Sequence, residues 1–134
     1  MNIFYIIPID YLGSHIGVSK QTRALRRFAK LNKIPFSLPI VEWAIPGVYY
    51  RLFENITLAQ NSTIFVMYNN MLPVSKKEFR KVLTSYLEAY CVNIVCLSIK
   101  GVTPDGLGHQ RWIYQDDGSY KLKTDVTNVL DMSY

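Results

Sequence analysis

Four apolar runs alternate with segments of helical periodicity, and this alternation constrains the fold more than any other feature of the sequence. The runs cover residues 3–9, 36–43, 63–68 and 92–99. The first is apolar at nearly every position, as in strands that are buried on both faces. Strands that alternate with helices form right-handed βαβ units around a mostly parallel sheet. The sequence therefore predicts an α/β fold in three layers.

Two of the predicted helices have well-defined starts. The first covers residues 20–31, with Ser19 as its N-cap. The later one begins at Ser75 and Glu78, which have the spacing of a capping box, and continues to Tyr90. A shorter helix is expected between them, just after a Pro-Gly turn. The apolar faces that we expect on the sheet are Ala24, Leu25, Phe28, Ala29 and Leu31 in the first helix and Phe79, Val82, Leu83, Tyr86, Leu87 and Tyr90 in the later one.

The C-terminal part of the chain differs from the rest. Short segments rich in aromatic and aliphatic residues, 112–114 and 120–122, flank the turn sequence Asp117-Gly118, which is typical of a β-hairpin. We therefore expect residues 1–101 to form an α/β domain. Residues 102–134 would add a C-terminal extension with a β-hairpin appendage, packed on the same single domain, because 134 residues leave little room for a second core.

Neither the cysteines nor the histidines have the spacing of a metal site. Cys91 and Cys96 lie in an apolar stretch, and their offset of five places them on opposite faces of a strand, which disfavours a disulfide between them. His15 and His109 are the only histidines. No cofactor motif and no site for a small-molecule substrate is evident, so we expect neither ligand. Without a signal peptide or an apolar span of membrane length, we expect a soluble, cytoplasmic protein.

Basic residues are concentrated in two helical clusters, and the net charge of +5 permits contact with nucleic acid. The candidates for nucleic-acid binding are Arg23, Arg26, Arg27 and Lys30 on the first helix and Lys76, Lys77, Arg80 and Lys81 at the start of the later helix. Solvated helix faces are the alternative for both clusters. If the two clusters lie on one side of the protein, contact with nucleic acid or with an acidic protein is favoured.

A polar loop follows the first strand and contains Ser14 and His15. Loops in this position often carry function in α/β domains. A serine hydroxyl beside a histidine base is an arrangement used in nucleophilic catalysis. Side chains that are adjacent in sequence rarely converge on one point, so simple filling of the loop is the alternative. Ser14 is the candidate catalytic residue if the chain is an enzyme.

Two segments carry a resemblance to a known family. Residues 21–25 read Gln-Thr-Arg-Ala-Leu, similar to the Gln-x-x-Ala-Leu that begins the first helix of the serine recombinase catalytic domain, found in resolvases and invertases. Residues 62–101 resemble the central block of that domain, which is an apolar strand, a polar turn, a serine at a helix start, an amphipathic helix and another strand. The resemblance covers about residues 2–101. It implies a resolvase-like fold, a mobile-element origin and DNA as a partner.

The residues that carry the chemistry of this family are absent. Its first-strand motif, Tyr-x-Arg-x-Ser, is matched by Tyr5 but has Ile7 for the arginine and Ile9 for the serine nucleophile. A shifted alignment places Asp10 and Leu12 there. In the second motif, Lys-x-Asp-Arg-Leu-Gly-Arg-Ser, the aspartate and the two arginines are replaced by Asn70, Met71 and Val74. Since each lost charged donor removes about 3–4 kcal/mol of transition-state stabilisation, the resemblance implies a domain that does not cleave DNA.

Three hypotheses follow from the sequence. The leading one is a catalytically inactive resolvase-like domain, not an enzyme, that serves as a binding or assembly module. Its partner would be DNA, another protein or a second copy in a homodimer. The alternative is an atypical DNA recombinase or nuclease with Ser14 as a relocated nucleophile, assisted by Arg51, Arg111 or the basic helix face. The third is an unrelated flavodoxin-like domain that shares only the βαβ order.

Overall fold

The computed structural model of this protein describes residues 2–10, 13–58, 60–73, 77–98 and 112–122. The strands are β1 (Asn2–Ile6), β2 (Ile40–Val41), β3 (Thr63–Tyr68), β4 (Asn93–Ser98), β5 (Trp112–Tyr114) and β6 (Tyr120–Leu122). The helices are α1 (Val18–Leu31), α2 (Tyr50–Leu58) and α3 (Lys77–Tyr90). None of the helices within these ranges is both long and apolar enough to cross a membrane.

The strands form one sheet in the order β2-β1-β3-β4-β6-β5. The first four strands of that order are parallel to their neighbours, whereas β6 is antiparallel to β4 and β5 is antiparallel to β6. The predictions of an α/β fold and a mostly parallel sheet are therefore confirmed. The predicted hairpin is also present, with Gly118 in its turn at φ +87°. It extends the main sheet beyond β4 and is not a separate appendage.

Alternate residues of the central strands contribute to two different cores. In β1, Ile3 and Tyr5 belong to a core that includes buried residues of α2 and α3. Phe4 and Ile6 belong to a second core, shared with Leu25 and other residues of α1. Because successive side chains of a strand point to opposite faces, α1 covers one face of the sheet and α2 and α3 cover the other. The three predicted layers are present.

Two element starts differ from the expectation. β2 is shorter than predicted because Pro39, directly before it, has no N–H to donate to a neighbouring strand. α1 begins at Val18 with Gly17 as its N-cap and has no side-chain capping hydrogen bond, so the assignment of Ser19 as N-cap was wrong. Ser75, the first residue of the predicted capping box, lies outside the described residues.

The buried face of α1 is rotated relative to the predicted one. Leu31 is 71% exposed, whereas Gln21 is buried. Gln21 Nε2 donates a hydrogen bond of 2.8 Å to the carbonyl oxygen of Ile7, whereas its buried Oε1 has no hydrogen-bond partner among the described residues. This bond ties the first turn of α1 to the chain just after β1.

The buried face of α3 is rotated as well. Leu83 and Leu87 are buried as predicted. The predicted core residues Phe79, Val82 and Tyr86 are exposed. Tyr86 instead contacts the Phe53 ring of α2, with ring centroids 5.0 Å apart.

A buried glutamate joins the first two strands to α2. Glu42 is 3% exposed, and its Oε1 accepts hydrogen bonds from the Tyr5 hydroxyl (2.8 Å) and the Leu52 N–H (3.1 Å). Its Oε2 accepts from the N–H groups of Trp43 (3.0 Å) and Arg51 (3.1 Å). Arg51 and Leu52 lie in the first turn of α2, where backbone N–H groups lack partners within the helix. Glu42 therefore caps α2 from outside the helix.

Candidate functional site

A cavity of about 310 Å³ lies where β1 and β3 end and α1 begins. We call it the Ser14 cavity. Ligands of open α/β sheets bind at the carboxyl ends of the strands, which is the position of this cavity. Its lining residues are Asp10, Ser14, His15, Ile16, Gly17, Lys20 and Tyr68.

The loop that carries Ser14 is held closed by hydrogen bonds around Asp10. The Asp10 side chain accepts a hydrogen bond of 2.9 Å from the Ser14 N–H, and the Asp10 N–H donates to the Ser14 carbonyl oxygen at 3.0 Å. Gly13 allows the turn between them by adopting φ +85°. Beyond the turn, His15 forms an antiparallel bridge with Ile9. The side chains of Ser14 and His15 are exposed at the cavity, while Asp10 is buried beneath the loop.

An open groove of about 400 Å³ runs along α1 and shares Lys20 with the Ser14 cavity. We call it the α1 groove. Basic and apolar side chains line it in combination, and its lining residues are Lys20, Arg23, Ala24, Arg27, Phe28, Leu31 and Met67. No acidic side chain is among them in the part of the chain that the structure describes. Residues three, four and seven apart lie on one side of a helix, so the three cations form a row along the groove.

The predicted basic residues of α1 are all exposed, but they differ in what they contact. Arg23 and Arg27 line the α1 groove. The guanidinium of Arg26 instead lies 5.2 Å from the centre of the Phe36 ring, within the range of a cation–π contact. Lys30 is exposed in the last turn of α1, where a positive charge interacts favourably with the helix dipole.

The second predicted basic cluster does not join this surface. α3 covers the opposite face of the sheet from α1, so the two clusters do not lie on one side of the protein. Arg80 is 6% exposed, which contradicts its assignment to a solvent-accessible basic cluster, and Lys81 is exposed. Lys76 and the side chain of Lys77 lie outside the described residues.

Most of the positions matched to the serine recombinase motifs are apolar and buried in the part of the chain that the structure describes. Ile7, Met71 and Leu72 are fully buried, and Ile9 is 9% exposed. In the shifted alignment, Asp10 is occupied in holding the Ser14 loop. The remaining motif positions Leu12, Val74 and Ser75 lie outside the described residues, as does the side chain of Asn70.

Sequence reasoning missed two residues of the α1 groove. Lys20 is three residues before Arg23 and seven before Arg27, a spacing that could have placed it in the same row. Met67 comes from β3, and no pattern within α1 predicts which strand residue lies beside the helix. Arg51, the proposed stand-in for a catalytic arginine, is exposed on α2, on the other face of the sheet.

Neither a search for metal-ligand groups nor comparison with known proteins assigns a function to these surfaces. Within the described ranges, no three His, Cys, Asp or Glu side chains are grouped closely enough to hold a metal ion. His109 and Arg111 lie outside those ranges. Comparisons with family models, with curated proteins and with solved structures give no match.

Proposed function

We propose that this chain is a non-catalytic nucleic-acid-binding module whose α1 groove contacts the phosphate backbone. The observation that carries the proposal is the row of Lys20, Arg23 and Arg27 along one open groove without an acidic neighbour in its lining. At 1.5 Å per residue, Lys20 and Arg27 are separated by roughly 10 Å along the helix axis. Along one strand of a duplex, with a rise of about 3.4 Å per nucleotide, that distance corresponds to about three phosphates.

A resolvase-like fold is the more specific form of this proposal. The order β2-β1-β3-β4 is also that of flavodoxin-like domains, so the parallel strands alone do not separate the two folds. The similarity of residues 21–25 and 62–101 to serine recombinases favours the resolvase-like alternative. The antiparallel hairpin that follows β4 departs from the parallel order of a flavodoxin-like domain.

The absence of catalysis is proposed from the residues at the motif positions. Ile7 and Ile9 have no group that can attack phosphorus or offset the charge on phosphoryl oxygens, and both are buried. Phosphoryl transfer depends on positioned charge. A chain that has cations on α1 but lacks the nucleophile and the arginines of the motif is therefore suited to binding alone.

Salt dependence of DNA binding tests this proposal. We expect the protein to bind a fluorescein-labelled duplex at low ionic strength with an affinity that falls steeply as salt increases, because binding releases counterions. The double variant Arg23→Ala/Arg27→Ala should bind more weakly and make the slope of log affinity against log salt shallower by about 2, from two lost phosphate contacts. Fluorescence anisotropy over a salt series measures both quantities.

The matched control is the double variant Arg51→Ala/Lys81→Ala. It removes the same net charge from exposed positions on the opposite face of the sheet. We expect a slope within about 0.5 of the unmodified protein, since these residues would make no phosphate contact. Equal losses in the two double variants, or no retention of DNA at low salt, would contradict the proposal.

A second candidate function is strand cleavage by Ser14. Ser14, His15 and Lys20 line one cavity, and Lys20 also lines the α1 groove, so a strand bound in the groove would pass the serine. In such a reaction Ser14 Oγ would attack phosphorus, His15 would accept its proton and pass it to the departing strand oxygen, and a phosphoserine ester to one strand end would replace the broken phosphorus–oxygen bond. Lys20 would offset charge on the phosphoryl oxygens.

We expect no such cleavage. After incubation with supercoiled plasmid and a divalent cation, the unmodified protein and the Ser14→Ala variant should leave the same amount of supercoiled DNA. Denaturing gels should show no protein attached to DNA. Nicked or covalently attached product that is lost with Ser14→Ala would overturn the non-catalytic assignment in favour of the second candidate.

A further inference from the structure

The α1 groove is lined by apolar side chains as well as by cations, and we call the apolar lining residues its floor and the three cations its rim. Ala24, Phe28, Leu31 and Met67 lie between or beside the three cations. Leu31 is exposed over most of its surface, in the last turn of the helix. Phosphate contacts alone need cations and backbone N–H groups, and an apolar floor adds nothing to them. The floor therefore indicates a ligand that presents an apolar surface together with negative charge.

We infer that the α1 groove binds an unpaired nucleobase and that the chain prefers single-stranded nucleic acid to duplex. This inference rests on the proposed function and specifies its ligand. In a duplex the bases are stacked inside and the outer surface that meets a shallow groove is phosphate and sugar. A single strand exposes base faces, which bind apolar and aromatic side chains while cations follow the backbone. The groove volume of about 400 Å³ accommodates such a planar group.

Buried aromatic residues of the sheet pack against Phe28, which lines the groove. The Phe28 ring lies 5.8 Å from the Phe65 ring, and Phe65 stacks on Phe4 with ring centroids 5.3 Å apart. Phe4 and Phe65 are buried in the central strands of the sheet. Phe28 is therefore held in place before a ligand arrives, which lowers the entropic cost of binding. Met67 is buried and lines the groove from β3.

The rim supplies the charge that a nucleic-acid backbone requires. Lys20, Arg23 and Arg27 face a groove lined by no carboxylate among the described residues. The planar guanidinium groups of Arg23 and Arg27 can hydrogen-bond to phosphate in a bidentate manner and also stack on a base. An acidic peptide with an apolar side chain is the competing ligand class, but it would benefit less from stacking on the guanidinium groups and on the Phe28 ring than a planar base would.

The test compares three labelled ligands of equal charge. They are an oligothymidylate of about 40 nucleotides, an oligonucleotide of the same length in which most bases are replaced by abasic sites, and a duplex of about 20 base pairs with the same number of phosphates. By fluorescence anisotropy at one salt concentration, we expect the oligothymidylate to bind at least about tenfold more tightly than the other two. The abasic strand keeps the phosphates but lacks the bases, so it isolates the contribution of the groove floor.

The variant Leu31→Ser tests the same contact from the protein side. We expect it to weaken oligothymidylate binding about threefold to tenfold and to change duplex binding less than about twofold. Leu38→Ser is the matched control, because Leu38 is 86% exposed and outside the groove, and it should leave both affinities unchanged. Equal thermal unfolding of the two variants would show that the fold is intact.

The outcomes separate this inference from the proposed function. Duplex binding as tight as oligothymidylate binding, or abasic binding equal to it, would overturn the inference and leave phosphate-backbone binding standing. Binding of none of the three ligands at low salt would overturn the proposed function itself. Binding of a glutamate–tyrosine copolymer as tight as that of oligothymidylate, with the same loss in Leu31→Ser, would overturn the inference in favour of an acidic protein partner.

Discussion

Replacement of Glu42 with alanine is expected to lower the free energy of unfolding by about 3–5 kcal/mol. The substitution removes both acceptor oxygens from four donors. Trp43 and Arg51 are exposed residues, so their N–H groups can form hydrogen bonds with water instead. The Tyr5 hydroxyl and the Leu52 N–H are buried and have no such replacement. A buried donor left without an acceptor costs about 1–3 kcal/mol, and loss of the helix cap adds about 1 kcal/mol. Urea unfolding followed by circular dichroism measures the change.

Two further variants test whether loss of the buried Glu42 carboxylate is what lowers the free energy of unfolding. Glu54→Ala removes an exposed glutamate from α2 and should change the free energy of unfolding by less than about 0.5 kcal/mol. Tyr5→Phe removes only one of the four hydrogen bonds and should cost about 1 kcal/mol. If Glu42→Ala were no more destabilising than Glu54→Ala, the capping role of Glu42 would be rejected.

Tyr5 also gives the Glu42 contact a pH dependence. Burial raises the pKa of the Tyr5 hydroxyl well above its ordinary value, and the neighbouring Glu42 raises it further. The unfolded chain loses this proton near pH 10 while the folded chain keeps it, so the contribution of Tyr5 is fully present below about pH 10 and is lost as the pH rises further. Tyr5→Phe should therefore flatten the decline in stability on the alkaline side.

Replacement of Phe65 with alanine is the second change with a large expected effect, a loss of about 3–5 kcal/mol. Phe65 is buried in β3, stacks on Phe4 and contacts Phe28. Removal of its ring leaves a cavity between the sheet and α1, and the surrounding helix and strands can close only part of it. Oligothymidylate binding should weaken as well, because Phe28 loses the ring that holds it at the groove floor.

The control for Phe65 is Tyr114→Ala, which removes an aromatic ring that is exposed on β5. It should cost less than about 1 kcal/mol. Phe65→Leu, which fills part of the space, should lie between the two. Unfolding by guanidinium chloride at one temperature ranks the three variants, and a similar cost for Phe65→Ala and Tyr114→Ala would exclude the proposed core role.

The sequence predicted the layers of the fold correctly because the layers follow from burial of whole strands. An apolar run such as residues 3–9 is stable only between two covering layers, whatever its exact ends are. Helix faces were predicted less well. Gln21 is buried and Leu31 is exposed because the Gln21 amide donates a hydrogen bond to the Ile7 carbonyl oxygen, and hydropathy has no term for such a partner.

The candidate site could be predicted only in part. Arg23 and Arg27 were visible as a basic helix face, since the pattern lies within one helix. The inclusion of Met67 depends on which strand lies beside α1, and the role of Glu42 depends on three segments that are distant in sequence. The second basic cluster was separated from the first by topology, because α3 lies across the sheet from α1. Contacts of this kind arise from tertiary structure and have no local periodicity.

The central position of β1 in the sheet has a consequence for the chain while it is being synthesised. β1 pairs with β3 over residues 2–4 and has only the two-residue β2 as an earlier partner. At roughly 5–20 residues per second, β3 leaves the ribosome roughly 3–12 s after β1. For that interval the apolar strand has one edge unpaired, and the layer of α2 and α3 that covers one of its faces is incomplete. Chaperones that bind extended apolar segments would therefore act on β1 before any other part of the chain, and their withdrawal should lower the yield of folded protein more than its equilibrium stability.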